Sequence, residues 1–235
     1  MNLDITRYAI QDITTQLETD VSIWKNIRHE DIRRHIQNFL YRAMTGSLRI
    51  GDFWSNIPNY EIRAMCQNCQ DTTETLEHIL TECATAERSQ IWNLTREIWP
   101  SNPENWVQPS IGILLGCGSI SATNNGPTTT EQRGTARLKR ILLSESTHLI
   151  WTLRCERVIG GQTHTENSVR TKWRNKINAR IDIDRRMAKS SRKQNQINKV
   201  RNTWKSITKN QTDLPQDWVT NLEVLVGIKL PRPPD

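Results

Sequence analysis

Four side chains within one short stretch have the types and spacing to hold a metal ion. The segment CQNCQDTTETLEHILTEC places Cys66, Cys69, His78 and Cys83 in a C-x2-C-x8-H-x4-C pattern. Two cysteines with two residues between them can set both thiolates on one ion across a tight turn. A histidine and a cysteine five positions apart lie about one and a half helical turns apart, and they converge where a helix frays or ends. Three sulfurs and one imidazole nitrogen make a closed tetrahedral set, the mark of structural rather than catalytic Zn²⁺, with no open position for an activated water. The competing reading, a chance pair of cysteines beside a helical histidine, must accommodate a third cysteine at knuckle-like spacing in a chain with only five of each residue. A redox dithiol would need a βαβ frame, which this chain does not offer. Cys117, Cys155, His148 and His164 are too scattered for a second site. One Zn²⁺ is expected, and structural zinc contributes on the order of 10 kcal/mol to small sites.

A second set of residues could hold a polyanion. Residues 131–209 contain 20 Lys and Arg against 6 Asp and Glu, a net +14, while the rest of the chain is −7, giving the overall +7. Within this segment Lys172, Lys176 and Arg180 recur at four-residue steps beside Arg170 and Arg174, and Arg185, Arg186, Lys189, Arg192 and Lys193 follow. On a helix such a stripe can track a phosphate backbone and release counterions, giving affinity that falls with salt and carries little sequence information. The alternative is a solvated amphipathic helix that balances the acidic remainder of its own chain. Trp173 and Trp204 sit among these cations, but Trp173 shares a face with Val169, Ile177 and Ile181 and reads as a core anchor. Asp182 and Asp184, at i,i+2, point apart on a helix and read as solvated charges. Glu145 and His148 have the spacing of a di-metal helix but lack a second copy, and read as satisfied interior polar residues.

The elements that must position these groups are helical. Ile32, Ile36, Phe39, Leu40 and Ala43 form one buried face that Gly46 terminates; Ile91, Leu94, Ile98 and Trp99 mark a second helix. A long run from Glu131 to about Ile159 ends at Gly160–Gly161, Thr165 can cap the next helix, and another covers about Gln194–Ile207. The expected fold is mainly α: a small helical unit containing a zinc knuckle, followed by a long-helix bundle or arm. In chain order this gives a linker or approach helix (1–20), a helical unit with the zinc motif (21–110), a loop (111–130), a basic helical region (131–210) and a proline-containing tail (211–235). Pro100, Pro103 and Pro109 break the chain before the loop. The apolar share of 35% is low for one large core. No run is long enough for a membrane span and the polar start has no signal segment, so an intracellular protein of nucleus or cytoplasm, not a secreted one, is expected.

The stretch IWKNIRHEDIRRHIQNFLYRAMTGSLRIGDFWSNIPNYEIRAMCQNC followed by TETLEHILTEC resembles the zinc-binding region of non-LTR retrotransposon reverse transcriptases, in particular fungal copies. IGILLGCG, LLSESTHLIWTLRCERVIGG and DWVTNLEVLVGI extend the resemblance from about Ile23 to Ile228. It implies zinc at Cys66, Cys69, His78 and Cys83. It also implies a place beyond the reverse transcriptase and ribonuclease H domains of a polyprotein, those domains as possible partners, and a role in holding RNA or DNA. The chain contains no Tyr-x-Asp-Asp polymerase motif and no strand-rich carboxylate core for ribonuclease H metals, so catalysis is not carried over. The expected function is a non-catalytic, zinc-stabilised nucleic-acid-binding module; the alternative is a structural remnant or protein-interaction adaptor.

Overall fold

The computed structural model describes residues 2–70, 72–100, 106–122, 128–209 and 212–230. Pro103, residues 123–127 of the expected loop and the PRPPD end lie outside them. Nine α-helices occur among the described residues: α1 (Leu3–Thr14), α2 (Asp20–Ile27), α3 (Arg34–Met44), the single turn α4 (Asp52–Ser55), α5 (Ala86–Glu97), α6 (Ile111–Leu115), α7 (Thr130–Val158), α8 (Glu166–Ser191) and α9 (Gln194–Trp204). No strand accompanies them there; two isolated antiparallel bridges, Met65 with Thr73 and Thr208 with Ile228, are the only extended pairings described. No helix among the described residues is long and apolar enough to cross a membrane.

Local chemistry sets most boundaries. Thr129 and Gln132 form a reciprocal capping box at the start of α7, and Thr165 accepts the Ser168 amide at the start of α8, each satisfying donors that a helix N-terminus leaves open. α3 stops where Gly46 takes a left-handed φ of 66°, and the Gly46 and Ser47 amides close back onto the carbonyls of Ala43 and Arg42. The apolar face expected from Ile32 to Ala43 is buried throughout, although Ile32 lies in the α2–α3 connection.

α7 is the spine. At 29 residues it is about 43 Å long, and it packs against α3, α5, α6, α8 and α9. A helix surrounded by others must find partners for its polar groups, and several of those on α7 tie down its neighbours. Arg137 grips Asp31, before α3, through Nε at 2.7 Å and Asp184, on α8, through both terminal nitrogens at 2.7 and 2.9 Å. Asp184 also accepts the Trp204 indole N–H of α9 at 2.8 Å. Arg140 reaches Asp31, Glu145 pairs with Arg33, and Arg154 pairs with Glu74. The Ser146 hydroxyl meets Thr95 of α5 and Trp173 of α8, both at 2.9 Å. Around this spine one hydrophobic cluster runs from Leu3 to Ile228.

Three expectations need correction. The segment 111–130 is not simply loop: Ser110 caps α6, and Cys117–Ser119 forms a 3-10 turn. By composition the segment reads as loop. Gly112 instead marks a close approach, because a Cβ there would lie 2.5 Å from the Ile5 carbonyl oxygen of α1. Asp184 is not a solvated charge but sits buried on the inner face of α8 with Val169, Trp173, Ile177 and Ile181. Arg180 and Arg185 share that inner face, so neither is a surface cation.

Candidate metal centre

The site is built on two small backbone devices. The first is a turn closed by the Met65–Thr73 bridge, with the Cys66 amide on the Thr72 carbonyl at 2.8 Å and the Gln70 amide on the Cys66 carbonyl at 3.1 Å. It brings Cys66 and Cys69 to one side. The second is a π-helical turn over His78–Glu82, in which the Cys83 amide bonds the His78 carbonyl at 2.7 Å. An i→i+5 turn is wider than an α turn by one residue, and that extra residue lets His78 and Cys83 face one ion despite their five-residue spacing. Thr75 seeds the turn by accepting the His78 amide at 3.0 Å.

The ligand atoms of Cys66, Cys69, His78 and Cys83 all lie within 4.8 Å of one another. The Cys83 sulfur is 3.7 Å from each of the other two. Ligands at a Zn–S distance of about 2.3 Å on a tetrahedron have sulfurs about 3.75 Å apart, so the spacing matches zinc and is far from a disulfide. His78 Nε2 is buried with no hydrogen-bond partner, the state of a nitrogen aimed at a cation. Its Nδ1 faces Glu82 Oε2 at 3.7 Å, placing a carboxylate behind the imidazole as ligand histidines commonly have. Hydrogen bonds from the Ala84 amide and the Asn68 side chain pull the Cys69 thiol down to about 6. Burial pushes the Cys83 thiol up to about 11. A bound divalent cation would hold all three sulfurs as thiolates. Three thiolates, one neutral imidazole and Zn²⁺ sum to −1, and Arg88 supplies a neighbouring cation. Its guanidinium donates to the Cys83 carbonyl and, at 2.9 Å, to the Thr81 carbonyl, fixing the end of the π turn.

Four protein ligands in a closed set suit a structural ion and leave no position for a reacting water. Two further ties seat the knuckle on the helical body: Arg154 of α7 on the buried Glu74 carboxylate, and the Trp92 indole of α5 on the Leu80 carbonyl at 2.8 Å. None of Glu74, Glu82, Arg88 or Arg154 stood out in the sequence. Only the nearness of Glu82 to His78 offered a signal.

The ten basic residues are not brought together as one surface. Arg180 is buried beside Asp184, and Arg185 donates to the carbonyls of Trp218, Asn221 and Val224, pinning the C-terminal segment. Lys172 pairs with Glu156 at 2.5 Å. Lys176 is partly buried among Glu145 and Arg33, and burial lowers its pKa; Arg170 is also partly buried. Arg174, Arg186, Lys189, Arg192 and Lys193 are exposed, and the last four gather at the end of α8 and its turn into α9. Cations there also offset the negative end of the helix dipole. Trp173 and Trp204 are fully buried and offer no face to a base.

Among known proteins, no curated protein and no solved structure matches the chain significantly. A protein family described as zinc-binding in reverse transcriptase matches residues 7–92, the segment that carries all four candidate ligands.

Proposed function

We propose that this chain is a non-catalytic, zinc-stabilised module from a retrotransposon reverse transcriptase and ribonuclease H polyprotein, of the fungal non-LTR type, that holds RNA or DNA mainly through phosphate contacts inside the cell, in nucleus or cytoplasm. The observation that carries the reading is the Cys66–Cys69–His78–Cys83 cluster at zinc spacing inside the matched segment. The five exposed cations on and after α8, none of which makes an ion pair among the described residues, support phosphate contact. The reverse transcriptase and ribonuclease H domains of such a polyprotein are its natural neighbours.

Fluorescence anisotropy of the zinc-loaded protein with labelled single-stranded RNA and DNA across a salt series tests this. Binding should weaken as salt rises, with a log–log slope of up to about −3.5 if all five cations meet phosphates, at about 0.7 per contact. No binding at low salt, with zinc bound, would overturn it. One observation favours a second reading, a structural or adaptor role: Arg180, Arg185 and Lys172 already meet partners within the chain, so part of the basic excess serves the fold.

A further inference from the structure

α2 turns Ile23 and Ile27 into the core and leaves Val21, Lys25 and Arg28 outward. Trp24, between them, is only partly covered, and it meets Tyr41 of α3, 46% exposed, at a ring-centroid distance of 5.6 Å and an angle of 52°. With Lys25, Arg28 and Thr45 these rings line an open cleft of about 670 Å³, within the range of ligand clefts. Among the described residues no carboxylate lines it. Acidic groups nearby in the sequence meet other partners: Asp20 meets Arg7, Glu18 the Asn26 amide and Glu30 the Lys199 ammonium. Neither Lys25 nor Arg28 makes an ion pair among the described residues.

A second exposed aromatic group shows what a self-satisfied cluster looks like. At Phe53, Trp54 and Tyr60 the Arg49 and Arg63 guanidiniums already lie over the rings, at 5.6, 5.3 and 4.7 Å, and Asp52 and Glu61 sit in the same segment. Among the described residues no guanidinium or ammonium lies over either ring of the Trp24–Tyr41 cleft, and Lys25 and Arg28 line it instead. Large rings half in water with unpaired cations beside them fit a ligand with a flat π face and a negative charge one bond system away.

We propose that the Trp24–Tyr41 cleft takes an unpaired base of single-stranded nucleic acid, stacked on these rings, with the adjoining phosphates on Lys25 and Arg28. This rests on the nucleic-acid reading above and adds to it a base contact distinct from the α8 cations. An acidic peptide would satisfy Lys25 and Arg28 but leave the rings without a counterpart.

The test uses the full, zinc-loaded chain. Its Trp24 indole N–H resonance, assigned from the spectrum of Trp24→Phe, is followed during titration with oligo-U and oligo-dT tetramers, and separately with polyglutamate. The tetramers should shift this resonance, whichever sugar they carry. In anisotropy with longer single strands, Trp24→Leu and Tyr41→Leu should each weaken binding by about 5- to 150-fold without changing the salt slope. Lys25→Gln with Arg28→Gln should reduce that slope by about 1.4. Long strands that bind while the Trp24 resonance stays fixed would overturn the cleft and leave the module standing. Absence of all nucleic-acid binding would overturn both. A shift with polyglutamate and none with the tetramers would overturn the cleft as a base site and identify an acidic protein as its occupant.

Discussion

Replacing Cys69 with Ser tests the metal centre most cleanly. Of the three sulfurs it is the least covered, Cys66 and Cys83 being buried, so the exchange opens no cavity and any loss must come through the ion. The 3.7 Å sulfur separations place a tetrahedrally bound ion about 2.3 Å from each sulfur. X-ray absorption of the zinc-loaded protein should therefore show three sulfurs at about 2.3 Å and one nitrogen at about 2.0–2.1 Å. Structural zinc binding is worth roughly 10–16 kcal/mol; one ligand of four carries on the order of 3 kcal/mol, a weakening of about 100- to 1000-fold in zinc affinity. Competition with a chromophoric chelator reads that change directly. At zinc concentrations that saturate only the parent protein, melting should fall by about 6–12 °C for a chain of this size. Unchanged zinc affinity, or a parent protein whose absorption spectrum requires an oxygen-rich shell, would refute the four-ligand assignment.

Other outcomes rest on the buried charges and close contacts. Arg137→Met removes the guanidinium that Asp31 and Asp184 share, leaving Asp31 to Arg140 and Asp184 to the Trp204 indole, and should cost about 3 kcal/mol in urea denaturation. Adding Asp184→Leu should cost less than the sum of the two single changes, and a loss below about 1 kcal/mol for Arg137→Met would refute the network's role. Burial, helped by Lys176, His35 and Arg33, holds the His148 imidazole down at about 3, below the 6.5 of an unfolded chain. The folded state therefore disfavours the proton: its contribution is complete above about pH 6.5 and is lost as pH falls toward 3, by up to about 1.4 kcal/mol per pH unit. His148→Phe should flatten this part of the stability profile relative to the parent, and parallel profiles would contradict it. Gly112→Ala should destabilise by about 1–3 kcal/mol, because its Cβ would meet the Ile5 carbonyl oxygen and, at 2.6 Å, the Ala9 Cβ; a melting temperature equal to the parent's would count against that packing.

Much of the local architecture was legible. Thr165 as a cap, Gly46 as a stop and the helices beginning near residues 131, 166 and 194 declared themselves because caps, glycines and apolar periodicity act within a few residues. The ligand quartet was legible for the same reason. What one chain read in isolation could not reveal is partnership across distance. Arg180, Arg185 and Asp184 have the residue types of a solvated surface, and only the arrival of Arg137, Trp204 and the 218–224 carbonyls makes their burial tolerable. The +14 segment therefore read as an exposed basic stripe, although Arg137, Arg154, Arg180 and Arg185 are interior groups. The π turn was equally hidden: the five-residue spacing of His78 and Cys83 pointed to a helix that frays or ends between them, not to a wider turn.

The pitch of that turn gives the ligand spacing one tolerated change of length. A π turn is an α turn carrying one additional residue. Deleting any one residue between His78 and Cys83 would let residues 76–82 close as ordinary α-helix. His78 and Cys83 would then stand at i,i+4, a separation that keeps two side chains on one face of an α-helix, so both could still meet the ion. Single-residue deletions in this turn should therefore leave metal binding largely intact, whereas a deletion among the exposed residues 67–68 and 70 tests the reach of the cysteine turn. A lineage that keeps the ion can carry three residues between His78 and Cys83 as well as four, whatever their identities.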